Sequence, residues 1–492
     1  MPVFLFSVLG FLVMGYHPGA EDDGVYLSAV NAAVHPYLYP HDAAFFKVQM
    51  HYSVFDTWMA HFVRATGMSI AWSELLWQFL SIAGILWACW RILCRLFPER
   101  PARWGGLAMV SAMLTLPVAG TGIYIADQYL HPRNPATALI LLAVERVLAR
   151  RKLQAIPCLL VAVLLHPIMG ALGVSFCLVL ALTQSERVAE WVSGLRAGSR
   201  RTVPAAVARG VVLIPLGWMF RPPTDAWLQA MQSRHWFWLY RWTWYEWLGA
   251  LGPLVLFWLL ARWARRRGEA GLARFSFAVL VYGVFQQAIA LVVCGVPALL
   301  VFSTVEPMRY LQLVYVFLAA MGGALLGRHL LGNDLRRWVV FLIVANGVMF
   351  AAQRQLFAAS PHLEMPGRSS SNPWLQAFAW IRTNTPRNAY FAVGPKYLDD
   401  PMEDVHSFRA LAERSVLADA IKDGSVMSKA PELSGEWRSQ VQAQQGWQHF
   451  KAADFERLKA GFGVDWVVLD RPPPPALACP WRDGAISVCR IP

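Results

Sequence analysis

Hydrophobic stretches dominate the first three quarters of the chain. A membrane-spanning helix needs about 20 mostly apolar residues, within a range of roughly 17–25. Eleven segments are candidates: 2–16, 69–92, 105–124, 134–150, 153–166, 167–183, 207–220, 247–263, 274–301, 308–329 and 336–357. The fifth and sixth meet at His166-Pro167. Proline breaks or kinks a helix interior, so the pattern is read as two helices. No basic residue precedes the first segment, which is therefore read as a span, with a cleaved signal peptide as the alternative.

The loop 17–68 is not polar in the usual way. DGVYLSAVNAAV (23–34) and AFFKVQMHYSVFDTWMAHFV (44–63) mix apolar and aromatic residues with scattered charges, which predicts amphipathic helices lying on the outer interface. Asp22 and Asp23 stand where the first of these helices begins. Acids are favoured there by the helix dipole and can cap free amides. The segment 221–247 carries six Trp and predicts an aromatic belt at the membrane interface or a stacking surface for a sugar or lipid chain. Arg234 and Arg241 among them can meet a phosphate or snorkel to headgroups.

Past residue 357 the pattern changes. A linker, 358–373, leads into 374–492, the length of one small domain. A helix is predicted at 374–384, strands at 389–394, 414–419 and 465–470, and one or two helices within 437–461. That alternation predicts a small α/β layer fold. No GxGxxG fingerprint is present, so nucleotide binding has no support.

Composition agrees with the pattern: 56% of residues are apolar and 15% charged, against about 25% charged in soluble proteins. The net charge of +13 raises the question of a nucleic-acid partner. Its location answers it. The tail from 358 holds 15 basic and 15 acidic residues, so the whole excess lies among the spans. Connections after the second, fourth, sixth, eighth and tenth spans hold 21 Lys/Arg and 6 Asp/Glu, and the opposite set 8 and 10. The positive-inside rule makes the first set cytoplasmic, with a cytoplasmic N-terminus and an external tail. The partner implied is membrane lipid, not nucleic acid. Of seven Cys, only Cys479 and Cys489 lie in the tail. Asp483-Gly484 between them signals a hairpin turn, which brings the two within reach of a disulfide in an oxidising compartment.

Serine-hydrolase, P-loop, HExxH and CxxC motifs are absent from the sequence. The external face instead gathers ionisable residues: Glu21, Asp22, Asp23, Asp127, His131, Arg133, Glu306 and Arg309, with His17, Asp56 and Glu74 nearby. Such groups at membrane depth are costly and point to function. His166 reads as a structural histidine at a helix end, and Gln286 and Gln287 as interhelical hydrogen-bonders.

An acidic pair outside the first span, a second acidic site at Asp127 and a multi-span body ending in an external domain resemble the GT-C superfamily of membrane glycosyltransferases. AFAWIRTNTPRNAYFAVGP (377–395), FRALAERSVLADAIKDG (408–424) and DWVVLD…ISVCRI are similar to C-terminal domains of its bacterial branch. The resemblance implies a polytopic α-helical membrane protein of about eleven spans with a small extracytoplasmic α/β domain, in a bacterial inner membrane. It implies sugar transfer, by inversion, from a polyprenyl-phosphate-linked donor. Asp22, Asp23 and Asp127 take the catalytic positions. Arg309, Arg133, Arg234 and Arg241 are candidates for the donor phosphate, with Glu21, His131 and Glu306 beside the substrate. A divalent ion, Mg or Mn, is a candidate cofactor, although the WWDYG motif of oligosaccharyltransferases is missing. Rival readings are transport of lipid-linked sugars and polymerisation or ligation of surface polysaccharide.

Overall fold

The structure is a computed structural model that describes residues 2–185, 223–232, 234–399 and 406–492. The span expected at 207–220 lies outside the described residues. The remaining helices of the first 357 residues are α1 (Pro2–Met14), α2 (Asp23–Val34), α3 (Ala44–Tyr52), α4 (Phe55–Thr66), α5 (Ile70–Leu96), α6 (Arg100–Ala112), α7 (Arg133–Leu148), α8 (Lys152–Leu165), α9 (Pro167–Thr183), α10 (Asp225–Gln232), α11 (Trp244–Arg266), α12 (Ala270–Gly295), α13 (Leu311–Leu326) and α14 (Leu335–Leu356). Among the described residues, five stretches are long and apolar enough to cross a membrane: α5, α11, α12, α14 and Leu299–Leu331, which contains α13. Helices α1, α8 and α9 are apolar but shorter. The chain is an integral membrane protein, with five such spans among the described residues where the pattern predicts ten.

Several helix starts are written locally. Ser69 caps α5 by accepting from the Trp72 amide, and Thr243 opens α11 with its amide donated to Glu246. Both satisfy amides that a helix start leaves free. His166 is extended and accepts from the Met169 amide, so it ends α8 and caps α9. The proline behind it has no N–H to continue the first helix.

The body packs closely where side chains are small. Gly105 and Gly106 on α6 meet the backbone of α13 at Gly323 and Ala320, with Gly327 beyond, and a methyl group on Gly105 would strike the Gly323 carbonyl. Small residues let helix backbones approach in this way. Polar groups bridge helices too: Gln286 donates to Ser175 on α9 at 2.8 Å, and Gln287 accepts from Tyr310 at 2.9 Å. Outward-facing residues such as Val340, Ile343 and Val348 on α14 and Leu153 and Leu160 on α8 are exposed and apolar, as lipid contact requires.

The basic connections gather at one end. Arg328 reaches Glu99 at 3.0 Å and Glu269 at 2.8 Å, tying the segments after α5, α11 and α13. The buried Glu145 of α7 pairs with Arg91 and Arg95 of α5 at 3.2 and 3.0 Å. Glu21, Asp127, Glu306 and the tail gather around a single cavity instead.

One expectation is corrected. The segment 105–124 is not one helix: α6 starts at Arg100 and ends at Ala112, and a hairpin of β1 (Pro117–Val118) and β2 (Ile123–Tyr124) follows. Pro117 cannot donate within a helix, and Gly120 and Gly122 adopt positive φ. Nine of the twelve α2 residues are buried, packed against α4 and the tail. The linker 358–373 is held against the body: Tyr16 and Leu363 form a backbone bridge, and Ser360 and Asn372 are buried.

The tail comprises α15 (Pro373–Asn384), β3 (Tyr390–Val393), α16 (Phe408–Ala412), β4 (Ser415–Val416), α17 (Lys422–Val426), α18 (Ser434–Ala443), α19 (Ala452–Phe462), β5 (Trp466–Leu469), β6 (Ala478–Asp483) and β7 (Ile486–Arg490). Its sheet has the order β4-β3-β5-β7-β6. Strand β3 runs parallel to β4 and β5, and the remaining pairs are antiparallel. Phe378, Phe391 and Phe408 fill one face, and Phe455, Leu458 and Val467 the other. Cys479 and Cys489 are joined by a disulfide with their Cα atoms 3.9 Å apart. The tail docks on the body through buried polar contacts: Asn31 donates to the Ala410 carbonyl at 3.0 Å, and Arg409 pairs with Asp42 at 2.6 Å and Asp423 at 2.9 Å. Such a buried arginine is tolerated because its single charge is paired and hydrogen-bonded, to Asp42 of the body and Asp423 of the tail.

Candidate active site

A cavity of about 720 Å³ lies where the first loop, the 125–133 segment, the Trp-rich segment, residues 304–309 and the tail meet. Of the candidates named from sequence, Glu21, Asp22, Asp127, His131, Arg133, Arg234, Glu306 and Arg309 all line it. Asp23, Arg241, Asp56, Glu74 and His17 do not. The tail adds Lys422 and Lys429. Five acids and five basic residues therefore face one space: Glu21, Asp22, Asp127, Glu246 and Glu306 against Arg133, Arg234, Arg309, Lys422 and Lys429. Tyr26, Tyr124, Trp236 and Tyr245 give it aromatic walls.

Asp22 does not cap α2, for its side chain makes no capping hydrogen bond. Its carboxylate takes Lys422 Nζ at 3.0 Å, and the same ammonium reaches Glu21 at 2.5 Å. Burial raises the Asp22 carboxyl, but Lys422, Arg133 and Arg309 outweigh it and hold the group well below the usual carboxylate range. Asp23 turns away and accepts from the Gly19 amide at 2.6 Å. Burial first, then the charges of Asp127 and Asp22, push it up to about 7 against the pull of Gly19 and His406.

Asp127 is held by a two-point ion pair, Arg133 Nη2 to Oδ1 at 2.6 Å and Nε to Oδ2 at 3.2 Å. Its backbone is tied as well, the amide to Asn134 and the carbonyl to Gln78. Burial raises its carboxyl despite Arg133. Arg133 Nη1 has no partner among the described residues. His131 accepts from the Arg133 amide at 2.9 Å; burial and then Arg133 draw its imidazole down, so it is neutral. Opposite, Glu306 pairs with Arg309, and Lys429 lies 3.9 Å from Glu306. Arg234 is buried against the Trp236 ring with Nε and Nη2 unpartnered among the described residues.

Glu21 and Glu306 both have φ near +51°, a conformation rare outside glycine. Backbone strain of this kind is held at functional sites when surroundings impose it. Arg241 lies outside the cavity lining: it is exposed, lies over Trp238 and Tyr240 and donates to the Gln232 carbonyl at 2.8 Å. Lys422 and Lys429 escaped the sequence reading. They sit in a tail of balanced charge, with no motif to mark that it folds back over the body.

In this arrangement the cavity's acids face basic side chains rather than an array of free Mg or Mn ligands. Such ions want several free carboxylate or carbonyl oxygens. Here Arg133 occupies both oxygens of Asp127, and Lys422 holds Asp22 and Glu21. A different cluster, His17, Glu364 and His406, has the spread of a metal-ligand set outside the cavity.

No protein-family model matches the chain, and no curated protein does. Among solved structures, it is similar to the archaeal oligosaccharyltransferase AglB from Archaeoglobus fulgidus in complex with an inhibitory peptide and a dolichol-phosphate, with 12% identity and a TM-score of 0.41, over 95% of this chain and 68% of that one.

Proposed function

We propose that this chain is a GT-C-like, inverting glycosyltransferase that moves a sugar from a polyprenyl-phosphate-linked donor to an acceptor hydroxyl at the outer face of the membrane. The body has eleven spans, its basic end is cytoplasmic, and the tail lies outside a bacterial inner membrane. The observation that carries the reading is the meeting of Asp22, Asp127–Arg133, Arg234 and Arg309 in one cavity built from segments far apart in sequence.

In this reading the acceptor oxygen bonds to the sugar's anomeric carbon as the bond from that carbon to the donor phosphate breaks. Asp22 takes the acceptor proton. Its place on the cavity wall supports it over Asp23, because a base must reach the proton it removes. The pairing with Lys422 keeps Asp22 ionised, and its basicity rises when an acceptor enters and competes for that ammonium. The departing polyprenyl phosphate gains negative charge, which Arg309 and Arg234 stabilise, guanidinium groups being suited to two-point phosphate binding. Arg133 fixes Asp127, and the aromatic walls hold the sugar ring.

Binding of the transfer product, polyprenyl phosphate, tests the phosphate side without knowledge of the sugar. Purified protein in detergent is expected to bind it, and Arg309→Ala to bind at least about tenfold more weakly, the loss of one charge-assisted contact. Equal binding by the variant removes Arg309 from the role, and no binding by the wild type removes the donor class.

A further inference from the structure

Three polar side chains meet behind the cavity, at the seam between body and tail. His17 follows α1, Glu364 lies in the segment joining body to tail, and His406 precedes α16. Their donor atoms all lie within 4.8 Å of one another. His17 Nδ1 is 2.7 Å and His406 Nε2 2.9 Å from the same oxygen, Glu364 Oε1. Both imidazoles are buried. We infer that His17, Glu364 and His406 form a binding site for a divalent transition ion of the zinc class, which clasps the tail to the membrane body.

Donor chemistry favours this class. Two imidazole nitrogens and one carboxylate oxygen suit zinc and its neighbours, whereas Mg and Ca prefer oxygen alone. Zinc bonds to nitrogen and oxygen are about 2.0–2.2 Å long, so adjacent ligand atoms around a tetrahedral ion lie about 3.3 Å apart. The two nitrogen-to-oxygen pairs, at 2.7 and 2.9 Å, need to part by roughly half an ångström to reach that spacing. Three protein ligands suffice for zinc, with water completing the set.

Preorganisation is the second line of support. The backbone beside each donor is pinned to its neighbour: the Tyr16 amide donates to the His362 carbonyl at 3.0 Å, the Glu364 amide to the Tyr16 carbonyl at 2.9 Å and the Ser407 amide to the Gly19 carbonyl at 2.8 Å. The His17 ring stacks flat on Phe357, with centroids 3.7 Å apart and planes 8° apart. Donors held in place by such supporting contacts lose little freedom when an ion binds. The clasp joins residues 17, 364 and 406, whose segments bring Lys422 and the first-loop acids to the cavity. It stands independently of the glycosyl-transfer reading, because its ligands do not line the cavity.

The test is metal content and spectroscopy of the full-length protein. Chelator-treated wild type is titrated with Zn²⁺, and with Co²⁺ as a spectroscopic probe. The expected result is about one ion per chain with the visible absorption of a low-coordinate nitrogen and oxygen site. Binding should be lost in His406→Ala and Glu364→Gln and kept in Asp127→Asn, whose carboxylate belongs to the cavity. Trypsin cleavage at the exposed Arg368 should quicken after chelation and slow again with Zn²⁺. Removing a buried histidine can itself prevent folding, so the wild-type titration also decides alone. Failure of the wild type to take up either ion at about 10 µM, a level well above structural zinc affinities, overturns the site. So does full retention of metal by folded His406→Ala.

Discussion

At the scale of single residues, two adjacent acids illustrate how position divides chemistry. Asp22 faces the cavity and three basic groups, while one residue on Asp23 is buried against a backbone amide. Their proton affinities move in opposite directions as a result. Asp23, raised to about 7 by burial before any other cause, favours the folded state when protonated. Its contribution is complete below the ordinary carboxylate value and is lost as pH rises through about 7. Asp23→Asn, which keeps an acceptor for the Gly19 amide, should therefore match wild-type thermal stability only at about pH 3.5, below the ordinary carboxylate value, and exceed it increasingly toward pH 8. Melting curves at both values check this, and an advantage that grows toward low pH contradicts it. The candidate acids were legible as a cluster because their residue types are costly at membrane depth. Which of them faced the cavity was not, since Asp22 and Asp23 differ in sequence by one place and in structure by a helix face. Nor does the sequence distinguish Arg234, which is buried at the cavity, from Arg241, which is exposed outside its lining.

At the scale of elements, hydrophobic pattern located α5, α7, α9, α11 and α14 to within a few residues, because length and apolarity decide a span with little help from context. It failed where tertiary structure overrides composition. The stretch 105–124 is apolar throughout, yet its second half is a hairpin forced by Pro117 and two glycines at positive φ. Nothing in the sequence of α2 announces that the tail packs against it. The contact of α6 with α13 depends on absent side chains. Gly105→Val places methyl groups against the Gly323 carbonyl, in a seam with no room. Overpacking of this kind costs about 1–3 kcal/mol. The variant should lose that much stability to denaturation in detergent, whereas Gly271→Val, whose Cβ meets nothing within 4 Å, should lose far less. Equal losses contradict a close seam.

At the scale of the whole molecule, a soluble-looking tail and a membrane body are one functional object. Charge balance separates them in sequence, since the body holds the entire excess of basic residues. It could not show that the tail returns Lys422 and Lys429 to the cavity, a contact spanning about four hundred residues. The account rests on that convergence: an ionised Asp22, an Asp127–Arg133 pair and unpartnered guanidinium donors around one space. The most direct measurement is release of free polyprenyl phosphate from a panel of polyprenyl-phosphate-linked sugars. The assay uses protein reconstituted in vesicles with a membrane extract as acceptor. The wild type should consume at least one donor, and Asp22→Asn, equally folded, should do so about 10²–10⁴-fold more slowly. Turnover by Asp22→Asn at the wild-type rate would contradict the account.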